Sequence, residues 1–246
     1  MIGLCRNLLL AAVAFVPQDL LSDGSVRHLR VASAEGTRVQ HFRLDGPEGP
    51  GAELPIGVVR WVSGPGDARE PGGWISELHV TFFEERTRIL HTEELGRSQR
   101  ELVFREVRPR SGRTHRLVWT PDGRGTSIET SQGEVTRTEH DLSRGAFLPL
   151  SLVELLRRGS TLPERARIYR PLAGAFEDTL LTVSEDARGR ELQLRTETGG
   201  RGRYRIEGDR LVRFAWQDGG PVARVIDETS FERMLENGLE EPETPR

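Results

Sequence analysis

From Trp74 onward, turn-forming residues interrupt the chain about every 8 to 14 residues, and the stretches between them are rich in β-branched and aromatic side chains. This rhythm constrains the fold more than any other feature. Short strands joined by tight turns pair antiparallel, whereas parallel strands need long crossovers. The pattern predicts strands at residues 75–83, 87–93, 100–108, 114–119, 126–130 and 134–139, then a helical stretch, then strands at 166–171, 178–184, 191–196, 203–206, 210–216 and 222–227. Thr120-Pro-Asp-Gly123, Glu207-Gly-Asp209 and Asp218-Gly-Gly-Pro221 supply turns. Leu102 and Phe104 fall on one face of their strand, and Leu211, Arg213 and Ala215 oppose Val212, Phe214 and Trp216. Such alternation fits antiparallel sheets with one core side.

Upstream, residues 25–33 and 37–44 read as a hairpin about Ala34-Glu-Gly36. Residues 45–73 hold eight glycines and five prolines, interrupted only by the apolar run 56–62, and read as an inserted flap with one buried strand. Before these, Arg6 precedes the apolar run 8–16, which contains Ala12-Val-Ala14. That is the layout of a secretory signal, and nine apolar residues are too few to span a bilayer. The expectation is export to the periplasm or outside the cell, with membrane association only through this segment or a bound ligand. The alternative is an N-terminal core helix of a cytoplasmic protein. The segments expected are 1–16 (signal), 17–73 (hairpin and flap), 74–235 (curved sheet with a helix at 150–158) and 236–246 (acidic tail).

At 246 residues the chain can bury a self-sufficient core, and its single cysteine, Cys5, permits neither an internal disulfide nor a thiolate metal cluster. With 35% hydrophobic residues and a net charge of −3, one soluble domain fits best. All 35 basic residues are arginine, so cross-strand pairing with the 38 carboxylates is the expected role for most of them.

The helical stretch is Phe147-Leu-Pro-Leu-Ser-Leu-Val-Glu-Leu-Leu-Arg-Arg-Gly159. Ser151 and Glu154 have capping-box spacing, with Leu150 and Leu155 at the staple positions. Arg157 and Arg158 suit the last turn, and Gly159 suits a left-handed closing residue. Two turns do not persist alone in water, so this helix needs a concave receptor for Leu152, Leu155 and Leu156. The fold expected is therefore mainly β: a curved antiparallel sheet, an unclosed barrel, with one short central helix packed on its concave face. This order, with the exported N-terminus and apolar strands such as Thr179-Leu-Leu-Thr-Val183 after the helix, resembles the bacterial lipoprotein-carrier superfamily of the LolA and LolB type, and a related envelope family of unknown function. The resemblance covers about residues 74–235 and implies a concavity that binds acyl chains or another apolar ligand. It offers no motif from which a binding residue carries over.

The residues expected to line such a concavity are Phe147, Leu152, Leu155, Leu156, Trp119 and Trp216. Arg105, Arg108, Arg110, Arg157 and Arg158, from two arginine-rich stretches, are candidates for an anionic ligand, against a plain solvated face. His79 and His91, with Glu84, Glu85, Glu93 and Glu94 nearby, are the only histidines read as able to converge for metal or acid–base work. His140-Asp-Leu-Ser143 has triad residue types, but adjacent strand residues face opposite ways. No catalytic, metal or cofactor site emerges. The reading is an exported, non-enzymatic envelope protein that binds a lipid-like ligand or an envelope protein partner, and not nucleic acid. Two alternatives stay open: an interaction module with a filled core and the flap as contact surface, and an enzyme acting on polysaccharide.

Overall fold

The computed structural model describes residues 36–46, 55–66, 73–96, 100–108, 111–120, 123–142, 146–170, 173–215 and 220–239. The strands before the central helix are β1 (Arg38–Asp45), β2 (Pro55–Pro65), β3 (Trp74–Phe82), β4 (Arg88–Leu95), β5 (Arg100–Arg108), β6 (Ser111–Trp119), β7 (Arg124–Ser131), β8 (Glu134–Asp141) and β9 (Ala146–Phe147). Helix α1 (Pro149–Arg157) follows, then β10 (Arg165–Arg170), β11 (Ala175–Asp186), β12 (Gly189–Thr196), β13 (Arg201–Glu207), β14 (Arg210–Ala215), β15 (Val222–Ile226) and helix α2 (Glu228–Leu239).

The fifteen strands form a single sheet, in which β8 to β1 run in reverse chain order, β1 meets β15, and β15 to β9 continue in reverse. Every pairing is antiparallel except that of β9 with β10. The expected mainly β fold, an unclosed antiparallel sheet curved about a short helix, is the one found. The boundary placed at residue 73 is corrected, because β1 and β2 are central strands of the sheet and not a hairpin and flap outside it. Inward-facing Phe42, Leu44, Val59 and Trp61 belong to the main core, and that burial overrides the Gly- and Pro-rich flanks. Residues 1–16, 25–33 and 240–246 lie outside the described residues, and residues 236–239 of the expected acidic tail form the end of the last helix.

Two apolar clusters explain how the sheet rolls. The larger gathers inward residues of β1–β3 and β10–β15 around Leu150, Leu152, Val153 and Leu156 of α1. The smaller joins Leu102, Phe104, Leu117 and Trp119 of β5 and β6 to Leu142, Ala146, Leu148 and Tyr169, with Phe176 against them. In β10 the two clusters take opposite faces: Ile168 turns to the helix and its neighbour Tyr169 turns away from it. Strands β9–β11 are thus a wall shared between two compartments, and β5–β8 lap over their far face. The sheet rolls past the point where a barrel would close, and it does so without pairing β8 to β10.

The start of α1 departs from the expected capping box. The helix begins at Pro149, where the fixed φ suits the first turn, and its N-cap is Leu148, with no side-chain cap. Ser151 and Glu154 are therefore helix-interior residues and face other partners. The free N–H groups are met by Glu93 of β4: Leu150 N donates to Oε1 at 2.9 Å, Ser151 N to Oε2 at 2.7 Å and Ser151 Oγ to Oε2 at 3.0 Å. At the other end Gly159, at φ +76°, closes the helix as expected, with Ser160 N donating to Leu155 O and Gly159 N to Leu156 O. A second helix, α2, follows β15; Asp227 caps it through Ser230, and the Phe231 ring packs tilted against His41 of β1.

Candidate functional site

Cross-strand register sets the lining of the second compartment. His91, Phe104, His115 and Glu129 are direct neighbours across β4–β7, and one level further along lie Glu93, Leu102, Leu117 and Ser127. His115 and Glu129 pair at 3.1 Å, and Ser127 Oγ is 2.8 Å from His140 Nε2. From the opposite wall come Tyr169, Phe176 and the turn at Gly174, which sits against the His115 ring. Tyr169 is fully buried, and its hydroxyl lies beside Ser127 without a well-aligned hydrogen bond. His91 Nε2 is 2.8 Å from Glu93 Oε1, again poorly aligned, and His115 Nδ1 has no hydrogen-bond partner among the described residues.

Burial favours the uncharged forms of His115, His140 and Tyr169. Burial lowers the pKa of His115, against the opposing pull of Glu129, and lowers that of His140, against Glu139. Burial, with Glu129 nearby, pushes the Tyr169 phenol up to about 12. Both shifts favour the neutral imidazole. A serine hydroxyl beside a neutral imidazole is half of a nucleophile–base pair. Among the described residues no carboxylate accepts from the His140 ring, so nothing there fixes its orientation for base catalysis. No group of three or more His, Cys, Asp or Glu among them is arranged to hold a metal ion.

Where β8 passes β10, the compartment opens into a cleft of about 720 Å³. Its lining is three consecutive residues of β8, Glu139, His140 and Asp141, and three of β10, Arg165, Ala166 and Arg167, with Asp178 of β11. Arg165, Arg167 and Asp178 stand on one face of β10–β11, so the cleft lies between that face and the outer edge of β8. Arg167 Nη1 crosses it to donate to the backbone oxygen of Asp141 at 3.0 Å, and the same guanidinium lies 3.8 Å from Asp178.

The residues expected to bind a ligand are scattered by this geometry. Leu152 and Leu156 are sealed in the main core, Leu155 is half-buried outside that cluster, Phe147 packs against the main core and Trp119 belongs to the second cluster. Trp216 and Arg110 lie outside the described residues. The arginine candidates do not converge. Arg108 pairs with Glu106 near one end of the sheet, and Arg105 stands on the outer face of β5. Arg157 is buried and spent on Glu154 at 2.7 Å, Ser63 and the Asp209 carbonyl. Arg158 lies over the Trp74 ring, 4.1 Å from its centroid. The pairing of His79 with His91 is corrected as well. Leu78 is the partner of His91, so His79 projects from the other face, where it meets Glu77. Sequence reasoning missed Tyr169, His115, Ser127 and the seam. The signal available was Ile168-Tyr169, adjacent apolar residues that mark a strand buried on both faces.

No family model and no curated protein matches the sequence. Among solved structures, the fold is similar to the crystal structure of a beta-barrel-like protein of a domain of unknown function, DUF1849, from Brucella abortus, at a TM-score of 0.51 and 10% identity, covering 81% of this chain and 98% of that one. The likeness is one of fold, and it places this chain's architecture among beta-barrel-like proteins.

Proposed function

We propose that this chain is an exported, non-enzymatic envelope protein that acts as an interaction module, with its barrel filled by its own helix and its contact surface at the seam between β8 and β10. The observation that carries this reading is the packing of α1. Leu152 and Val153 are 0% exposed and Leu156 2%, surrounded by Phe42, Val59, Leu192, Ile206 and Phe214. The space that a carrier keeps for an acyl chain is here occupied by leucine side chains. Export is supported by Arg6 and the apolar run 8–16.

The resemblance to lipoprotein carriers is compatible with a barrel-like fold, but it asks for an apolar ligand against the α1 face. Native mass spectrometry of protein purified from its own host, with titration of a fluorescent fatty acid, separates the two. The module reading expects a ligand-free mass and no saturable fluorescence change. A co-purifying lipid, or saturable fatty-acid binding lost in Leu152→Trp, would overturn it.

A further inference from the structure

We infer that the outer face of β10–β14 rests on an anionic lipid surface, with its arginines on the phosphate headgroups and Leu180 set among them. This goes beyond the reading of the seam and uses a different face. It also adds a contact to those the sequence suggests, the N-terminal segment and a bound ligand. Cross-strand register lays the face out in rows. Arg165 of β10, Leu180 of β11, Arg195 of β12 and Arg201 of β13 are direct neighbours, and on the next row Thr182 meets Gln193 and Gln193 meets Arg203. One row further, Arg205 meets Arg213, and Arg213 meets Arg224 of β15. Their chain neighbours Leu181, Leu194, Tyr204 and Phe214 fill the main core, so these rows stand on the opposite, outward face. Arg165, Arg195, Arg201, Arg203 and Arg213 are exposed, and Leu180 is 42% exposed.

Like charges directly opposite one another destabilise a sheet. Here the register sets Arg195 against Arg201, Arg205 against Arg213 and Arg213 against Arg224. Within β12–β14 this face carries six arginines, Arg195, Arg201, Arg203, Arg205, Arg210 and Arg213, and two carboxylates, Glu191 and Glu207. Asp186, at the end of β11, answers Arg205 at 2.6 and 2.9 Å. The outer face of β3–β8 is built differently, with base against acid: Arg116 with Glu101, His79 with Glu77 and Arg137 with Glu139. Positive charge is thus gathered on one face of a chain whose net charge is −3. Guanidinium forks match phosphate oxygens in pairs, and an extended sheet face offers several forks to a surface at once. Leu180 selects lipid among the anions. It stands between Arg165 and Arg195, and an apolar side chain gains by leaving water for lipid but not for a hydrated polyanion. The rows named hold no aromatic side chain on which a nucleic-acid base would stack.

The probe is a vesicle of phosphatidylglycerol and phosphatidylcholine in about equal parts, with pure phosphatidylcholine vesicles beside it, and the readout is the partition of the purified full chain by sedimentation. Binding is expected to the anionic vesicles alone, and it should be lost in about 0.5 M sodium chloride, where the Debye length is roughly 4 Å. An arginine near such a surface contributes about fivefold to partition, so Arg195→Gln, Arg201→Gln and Arg203→Gln together should cost about a hundredfold. Should the urea midpoint of that triple variant fall, Arg195→Gln and Arg203→Gln singly, each costing about fivefold, carry the test. Leu180→Ser should weaken partition by about threefold or more. Arg88→Gln, exposed on β4, should leave it unchanged. The inference is overturned by no binding to anionic vesicles, by equal binding to phosphatidylcholine, by binding that survives the salt, or by arginine variants that bind like the parent. A Leu180→Ser variant that binds like the parent also overturns it and assigns the face to a dissolved polyanion. Failure here leaves the filled-barrel reading standing, since native mass spectrometry and the fatty-acid titration test that reading without vesicles.

Discussion

Replacing Glu93 with alanine should do more damage than removing any exposed charge on this sheet. The carboxylate is fully buried and accepts from Leu150 N, Ser151 N and Ser151 Oγ, with His91 Nε2 beside it. Glu93→Ala leaves these donors in a water-poor interior. A buried donor stripped of its acceptor costs about 1–3 kcal/mol. The serine hydroxyl can rotate toward another acceptor, but the two backbone N–H groups cannot, and the first turn of α1 also loses a favourable negative charge. The expected loss is about 3–6 kcal/mol, a large share of the roughly 5–15 kcal/mol that holds a domain folded. Glu93→Gln keeps one acceptor oxygen but turns an NH₂ toward another donor, so about half the loss should remain. Urea unfolding, followed by tryptophan fluorescence and far-UV circular dichroism, measures both. With a slope of about 2 kcal/mol per molar, the midpoint of Glu93→Ala should fall by roughly 2 M. A double-mutant cycle with Ser151→Ala should give a coupling of about 1–2 kcal/mol. A Glu93→Ala midpoint within roughly 0.3 M of the parent would refute the claim that this carboxylate holds the helix in the barrel.

The Glu154–Arg157 pair, 2% exposed on each side chain, should behave as a buried ion pair: Glu154→Ala alone costs about 3–5 kcal/mol, whereas Glu154→Leu with Arg157→Met is close to neutral, both read from urea midpoints. Because burial lowers the pKa values of His115 and His140, the unfolded chain binds more protons than the folded one as pH drops below about 6.5. Their contribution is therefore complete above that pH and lost as it falls toward the lowered folded values; the unfolding midpoint should decline between pH 7.5 and 5.5, and His115→Gln should flatten the decline. Gly57 of β2 faces the backbone of β3, and an added Cβ would collide with the Thr81 carbonyl oxygen. Gly57→Ala should therefore cost more than about 1 kcal/mol, although alanine is ordinarily the better residue for an extended chain, and an unchanged melting temperature would contradict this.

Local signals in the sequence reported local structure well. The breaker rhythm placed the strands of both meanders, and Gly159 marked the helix end, because turn geometry and left-handed closure depend on residues next to each other. The cap of α1 was misplaced for the opposite reason. Ser151 and Glu154 have capping spacing, but Pro149 starts the helix two residues earlier and Glu93, in a strand far back along the chain, supplies the acceptor. Neither β1 nor β2 looks like a central strand amid glycines and prolines, because centrality depends on which strand arrives beside it. The seam is harder still to read. It exists because β10 is buried on both faces, and the only trace in sequence is the adjacent pair Ile168 and Tyr169.

The pairing of β1 with β15, Phe42 opposite Val225 and Leu44 opposite Ala223, has a temporal consequence. Strands β2–β8 and β10–β14 are meanders that can zip from neighbour to neighbour, whereas this junction joins the first described strand to the last. Closing so long a loop is slow, and a ribosome must deliver residues 222–226 before it can happen. Until then the nascent chain carries two unfinished sheets, with the edge of β1 unmet and the inward face of Phe42 wet. A chaperone that recognises extended apolar strands has its longest opportunity there, before the last short strand locks both halves together.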